Sequence, residues 1–227
     1  MKHLLITGAS GNLGRELIKY LNFDKYEKIY LVVNLEKLNQ IDIEKSKFKI
    51  FSDFDLASED SVKQIFNQIN VLEHDELFVI HLVGGYTGGK LFWEFDAADL
   101  KLMINKNLIS SFLISKYTAK KLLNGSGGSI FFISARLSIH YEPKRSVYAI
   151  SKSALNFLLK VIEIEGNDLN LTVNAAAPKV ILTEENKKWI AENEYHKYIS
   201  PQQLAKQIEF VFQDYQRYNG NIFLVND

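Results

Sequence analysis

Tyr148 and Lys152, in the stretch "YAISK", lie four residues apart. In a helix that spacing stacks both side chains on one face. A free phenol titrates near pH ~10 and is a sluggish acid or base at neutral pH. A lysine ammonium within a few Å favours the phenolate by roughly 1 to 3 pKa units, enough to make Tyr148 a usable proton donor or acceptor. Just upstream, "SARLSIHYEPKRS" supplies three hydroxyls, Ser134, Ser138 and Ser146, any of which can be asked to hold a substrate oxygen beside the phenol.

A second stretch suited to chemistry is "LLITGASGNLGREL", where Gly8, Gly11 and Gly14 separate an apolar run from an amphipathic one. A glycine-rich strand-to-helix turn brings backbone N–H groups and the positive end of a helix dipole up to a pyrophosphate. The turn from Gly8 through Ser10, Gly11, Asn12 and Leu13 to Gly14 is therefore expected to hold a dinucleotide. A plain tight turn would use the same glycines, but this one opens the first strand–helix–strand unit, the context that gives the motif meaning.

The next apolar run ends in "LVVNLEK", and Asn34 stands where an aspartate would accept hydrogen bonds from an adenosine ribose. Asparagine does not repel a 2′-phosphate. Arg15 either neutralises such a phosphate or stands as a solvated helix residue, the default for an exposed arginine. The cofactor reading is NADP or NAD, leaning to NADP(H); Glu36 can still reach the ribose and reverse it.

The elements that must position these residues read off the hydrophobic pattern. Seven short apolar runs, "HLLIT", "KIYLVVN", "FKIFS", "ELFVIHLV", "GSIFFIS", "NLTVNAAA" and "NIFLVND", are strand-like. Between them, "LGRELIKYLN", "SEDSVKQIFNQI", "LKLMINKNLISSFLISKYTAKKLL", "VYAISKSALNFLLKVIEIEG" and "SPQQLAKQIEFVFQDY" carry apolar residues at helical spacing. Strands that are apolar throughout and alternate with helices predict an α/β fold, a doubly wound parallel sheet covered on both faces (a Rossmann fold). The loop "GGYTGG" (84–89) directly follows a strand and is a candidate pocket wall, because ligands sit at the carboxyl ends of such strands.

The 227 residues fit a single domain spanning 1–227. Lys plus Arg and Asp plus Glu are both 27, so the net charge of zero provides no field to draw in nucleic acid. There is no cysteine, hence neither a disulfide nor a thiolate metal site, and the five histidines form no ligand pair. No metal is expected. No apolar run approaches the length of a membrane span, and the chain is read as cytoplasmic, with a small-molecule substrate and no membrane or nucleic-acid partner.

With the glycine turn at one end and "YAISK" at the other, the sequence resembles the short-chain dehydrogenase/reductase family over nearly its whole length. The resemblance implies a nicotinamide-dependent oxidoreductase. Tyr148 would be its proton donor, and Lys152 would both tune it and hold the nicotinamide ribose. It also implies roles for further residues. In "DFDLASEDSV", Asp55 and Leu56 would touch the adenine; "HLVGG" puts Val83, Gly84 and Gly85 where the family has "NNAG"; Asn107 would complete a proton relay. "NAAAPKVILT" resembles the family's N-x-x-x-P-G-x-x-x-T, with Lys179 in place of glycine, and would set Pro178, Val180 and Thr183 around the nicotinamide carboxamide. The segment at about 183–199 would cover the substrate, with Trp189, Tyr195 and His196 as candidate lid residues. Pairing through the fourth and fifth helices, about 100–123 and 147–166, would give a homodimer or homotetramer.

One departure bears on the substrate. The family's usual serine lies thirteen residues before the tyrosine, and here that position is Ala135. Ser134 is adjacent, but successive strand residues face opposite sides, so its hydroxyl is expected to turn away from the nicotinamide. Ser138, further into the loop, is the candidate to swing back and replace the missing hydroxyl. "VGGYTGG", "ISARLS" and "YAISK" are similar to the dihydropteridine reductase type within the family, whose quinonoid substrate can do with one proton donor. The functional expectation is hydride transfer between NAD(P)(H) and a small carbonyl or a quinonoid, pteridine-like ring. The alternative, favoured by Ala135 and Lys179, is a catalytically impaired dinucleotide-binding sensor or scaffold.

Overall fold

The computed structural model describes residues 1–41 and 44–225. Its frame is one seven-stranded sheet in the order β3-β2-β1-β4-β5-β6-β7, with every neighbouring pair parallel. The strands are β1 (Lys2–Thr7), β2 (Lys28–Val33), β3 (Phe48–Ser52), β4 (Glu76–His81), β5 (Gly127–Ile133), β6 (Leu171–Pro178) and β7 (Asn221–Val225). All seven apolar runs became strands. Asn226 and Asp227, which end the seventh run, lie outside the described residues.

The strands are mostly apolar because both faces of the sheet are covered. Leu5, Val79, Ile130 and Val173 pack beneath α2 (Glu59–Asn67), α4 (Ser110–Leu122) and α5 (Ser146–Glu165). Their neighbours Leu4, Ile6, Ile80 and Phe131 face α1 (Asn12–Leu17) and α7 (Pro201–Gln213) on the other side. The two-residue alternation of a strand is thus present, with apolar residues in both phases. Helix α7 starts as its sequence dictates: Pro201 occupies the first turn, and Ser200 and Gln203 form a reciprocal capping box.

Two helices differ from the periodicity. The first ends at Leu17 and tightens into a 3₁₀ turn, Ile18–Tyr20, instead of continuing to Asn22. The long segment predicted to begin at 100 starts at Ala97 as α3 (Ala97–Ile104) and reaches α4 only through a π turn, Asn105–Ile109. A π turn adds a residue to the helical repeat and rotates the flanking faces relative to one another. At its centre it drives Asn107 into the interior, fully buried.

The strand order reverses between β1 and β4, which opens a crevice at their carboxyl ends. Gly8, with φ +72°, turns the chain there, and a side-chain carbon on it would stand 3.1 Å from Val83 of the loop after β4. At Gly14 such a carbon would lie 2.4 Å from the Gly8 carbonyl oxygen and 2.6 Å from that of Ala9. Backbone must move to admit it. Gly14→Ala is expected to destabilise the protein by about 3 kcal/mol, lowering Tm by roughly 10 °C, and to abolish dinucleotide binding; a thermal melt and a nicotinamide fluorescence titration check both.

Candidate functional site

A cleft of about 550 Å³ opens at the carboxyl ends of the strands, lined by parts of five segments. Asn12 and Leu13 come from the first turn, Tyr86 from the loop after β4, and Ile133 to Leu137 from the exit of β5. Tyr148 comes from α5, and Pro178 to Ile181 with Thr183 follow β6. The volume suits a small molecule or one end of a larger one.

Tyr148 and Lys152 sit in the first two turns of α5, on one face as their spacing requires. The expected tuning of one by the other takes a different form. Lys152 is buried and its Nζ donates to the Ile133 carbonyl at 2.7 Å, at the end of β5, while Tyr148 is half-buried at the cleft wall. Burial pushes the phenol up to about 12 and the lysine down to about 8. Each charged form is penalised by lost hydration. At neutral pH the pair is therefore a protonated phenol beside a largely protonated amine, which is the state a proton donor needs.

Around Lys152 the polar groups are fixed and neutral. Gly84 passes so close that an added side-chain carbon would lie 2.8 Å from Asn107 Oδ1 and 3.4 Å from Lys152 Nζ. Asn107 clasps the loop after β4, accepting from Gly85 N at 2.9 Å and donating to Gly85 O at 3.0 Å and Ser151 Oγ at 2.9 Å. Its side chain is spent on that clasp, so any part in a proton relay falls to its main chain. His81, buried at the end of β4, pairs through Nδ1 with Thr7 Oγ1 at 2.7 Å and through Nε2 with Ser110 Oγ at 3.3 Å. Ser110 gives its own proton to Lys106 O, so the imidazole donates from Nε2 and accepts at Nδ1. Burial, then the charge of Lys152, push His81 down to about 3, and Lys152 stays the cation of this interior.

The serines resolve through a residue the sequence reading did not single out. Asn156 lies one turn beyond Lys152 on α5; its Oδ1 accepts from Ser134 Oγ at 2.5 Å and its Nδ2 donates to Ser138 Oγ at 2.7 Å. Ser138 in turn donates to the Ala135 carbonyl at 2.5 Å. Ser138, expected to swing toward the substrate, is instead held against α5, because Asn156 and a backbone carbonyl use its hydroxyl. The Ser134 hydroxyl is likewise spent on Asn156. Ser146 Oγ is buried at the start of α5 with no partner among the described residues. Of this stretch, Ser134, Ala135, Arg136 and Leu137 line the cleft, and no serine hydroxyl there is left free to hold a substrate oxygen.

At the dinucleotide end, Gly11 precedes α1 without a side-chain cap, so the first N–H groups of the helix are left for an anion. Ser10 Oγ accepts from Asn34 N at 2.8 Å, tying the first turn to the end of β2. Arg15 is not simply a solvated helix residue: its guanidinium bridges Asn12 Oδ1, at 3.0 Å, and Gln40 Oε1. It lies across the turn on the side of Asn34, whose own Oδ1 caps the following 3₁₀ helix by accepting from Glu36 N at 2.9 Å. Asp55 is engaged with Ala57 N at 2.9 Å, and Leu56 is buried. A backbone cradle with open N–H groups and a nearby guanidinium fits a dinucleotide phosphate, and a bound nicotinamide nucleotide would supply or accept the hydride. Among the described residues no cluster of ligands could hold a metal ion, and no helix is long and apolar enough to cross a membrane.

The segment after β6 forms a short helix, α6 (Glu184–Lys187), capped by Thr183, and a 3₁₀ turn, Glu192–Lys197. Of the candidate lid residues, Trp189 faces the cleft and stands 64% exposed. Tyr195 leans back on Lys187, and neither it nor His196 lines the cleft. Tyr198 does, as do Arg136, Glu142 and Arg145, none of them singled out in the sequence, and Tyr86, which the sequence offered only as part of a candidate pocket wall. The position of "GGYTGG" beside a strand end was the available signal for Tyr86.

A doubly wound sheet, a glycine turn at its switch point and a tyrosine–lysine pair on the cleft define a nucleotide-dependent oxidoreductase class. A model of the short chain dehydrogenase family matches residues 2–194. The chain belongs to that family and is an oxidoreductase of it. A 3-oxoacyl-[acyl-carrier-protein] reductase FabG from Rickettsia felis is 26% identical, over 99% of this chain and 95% of its own. A tropinone reductase homolog from Arabidopsis thaliana is 25% identical over 85% and 75%. Among solved structures, a short-chain type dehydrogenase/reductase from Mycobacterium ulcerans superposes with a TM-score of 0.86 at 19% identity, covering 99% of this chain and 88% of its own. ElxO with NADP bound does so at 0.85 and 23%, covering 99% and 96%.

Proposed function

We propose that the protein is an NADP(H)-dependent reductase of a small carbonyl or quinonoid, pteridine-like compound, with the Tyr148 phenol as proton donor. The observation that carries this reading is the half-buried Tyr148 hydroxyl on the wall of the cleft, protonated at working pH and backed by the buried Lys152 amine. Reduction of a carbonyl builds negative charge on oxygen. A neutral phenol gives its proton to that oxygen, and the adjacent ammonium, shielded from water, supports the charge as it moves onto the phenolate. Ala135 withholds a second donor, which favours a substrate that needs one.

The lean to NADP(H) is supported by Arg15 held across the first turn, by Asn34 in place of a carboxylate, and by the NADP bound to the similarly folded ElxO. The sensor reading keeps its two supports, Ala135 and Lys179, both on the cleft wall, but a buried, costly lysine behind the phenol serves no purpose there. A homodimer or homotetramer is supported by apolar side chains exposed on α4 and α5, Phe112, Phe157 and Ile164; a monomeric mass by light scattering at micromolar concentration would contradict it.

Nicotinamide fluorescence titration tests the cofactor choice. NADPH is expected to bind about tenfold more tightly than NADH, and Asn34→Asp to reverse the order. Aspartate is an equally good helix cap and keeps the oxygen that Glu36 N–H needs, so the fold is retained while a charge is added. Equal affinities in the parent protein, or no response in the variant, would sink the NADP(H) reading.

A further inference from the structure

We infer that the substrate is an anion, an aromatic or conjugated carbonyl compound bearing a carboxylate, and that Arg145 is the residue that receives the carboxylate. The inference rests on the reductase reading and adds to it the chemical class of the substrate. Arg145 and Lys179 line the cleft, against one carboxylate, Glu142. A concave wall of one sign raises the local concentration of ligands of the other. Arg145 is the better placed of the two, directly preceding α5 and three residues before Tyr148.

Its position is fixed by contacts that leave its hydrogen-bonding edge unused. The guanidinium carbon stands 5.3 Å from the centre of the Tyr86 ring. That same ring packs edge-on against Tyr148, with centres 5.0 Å apart. Gly89 N–H donates to Lys144 O at 2.8 Å, which pins the loop carrying Tyr86 to the residue before Arg145. Among the described residues no carboxylate is ion-paired with Arg145, and Glu142, in the same cleft, is not one of its partners. A stacked guanidinium keeps its planar fork of N–H donors for a ligand, and that fork matches a carboxylate with two parallel hydrogen bonds.

The aromatic part of the assignment comes from the remaining walls. Tyr86, Trp189, Tyr198 and Leu137 present flat or apolar surface, and Ala135 leaves open the space beside Tyr148 that a larger polar side chain would narrow. A planar body can then lie between Tyr86 and Trp189, its carbonyl at the Tyr148 hydroxyl and its carboxylate at Arg145. The oxyanion formed in reduction and the carboxylate are served by different residues, so recognition and proton donation are separable.

Isothermal titration calorimetry with the protein saturated with NADP⁺ tests this, using benzoate and its neutral isostere benzamide as probes. Benzoate is expected to bind at least about tenfold more tightly than benzamide, a difference that raised salt diminishes. Arg145→Met should erase the difference, and Arg145→Lys, which keeps the charge without the fork, should retain part of it. A packing role for Arg145 on Tyr86 would not move carboxylate selectivity. Equal affinities, no binding of either probe at millimolar concentration, or a preference that survives Arg145→Met would overturn the assignment, as would its loss in Lys179→Met alone. Failure of NADPH to bind in the fluorescence titration above would count against the reductase reading itself.

Discussion

Tyr148→Phe is expected to lower kcat for carbonyl reduction by about 10³-fold, within the range attributed to a positioned general acid. The substitution removes one oxygen and leaves the ring, so the edge-on contact with Tyr86 and the wall of the cleft persist. NADPH affinity should change by less than about tenfold, since the dinucleotide would also be held by the first turn and the loop after β6. The phenol stays protonated up to about pH 12 because burial penalises the phenolate. Its own titration therefore does not limit reduction anywhere in the working range. Steady-state rates with NADPH and a reactive aldehyde, set beside a fluorescence titration of the same variant, separate the loss of chemistry from a loss of binding. A variant that keeps more than about a tenth of the parent kcat would remove Tyr148 from the role of donor.

Lys152→Met is expected to act on rate and stability in opposite directions. The Lys152 amine is buried, and burial lowers its pKa from 10.5 to about 8. The unfolded chain thus binds a proton more readily than the folded one between those values. Stability must then rise with pH across that window, and below about 8 the full cost of burying the charge is present, ~3 kcal/mol at 1.36 kcal/mol per unit. Methionine keeps the unbranched stem and removes the charge, but leaves the Ile133 carbonyl without its donor, which costs about 1 to 3 kcal/mol. The net expectation is a gain of about 1 kcal/mol and a Tm higher by roughly 3 °C at neutral pH, with the advantage fading toward alkaline pH. Rate falls with the charge. In the parent protein kcat/KM for reduction should be level through neutrality and decline above about pH 8, as Lys152 loses its proton. In the variant it should be about 10²-fold lower and show no break there. A variant that melts lower at neutral pH, or keeps the alkaline break, would refute this account of Lys152.

What could be read beforehand follows the range of the forces involved. The strands declared themselves because covering both faces of a parallel sheet demands apolar residues in both phases, and Leu4, Leu5 and Ile6 satisfy that locally. The glycine turn and the Tyr148–Lys152 spacing are also local, and both lie at the cleft. The fate of Ser138 was not legible, since it depends on Asn156, which reaches the loop only after α5 packs against the end of β5. The π turn that buries Asn107 was hidden because an inserted residue shifts helical phase without changing composition. Burial also set the titration of Tyr148 and Lys152, whereas spacing alone suggested mutual tuning. Arg145 stands on Tyr86 across a loop contact nearly sixty residues distant in the chain, which no local pattern records.

The central claim is that the protein moves hydride and proton and does not merely hold a nucleotide. NADPH deuterated at the transferable position, incubated with the protein and a panel of aldehydes, ketones, carboxylate-bearing aromatic carbonyls and quinonoid dihydropterin, tests it most directly by mass spectrometry of the products. One deuterium is expected on the reduced carbon of at least one compound, and its loss in Tyr148→Phe. NADPH binding with no deuterium transferred to any member of the panel would contradict it and leave a dinucleotide sensor in its place.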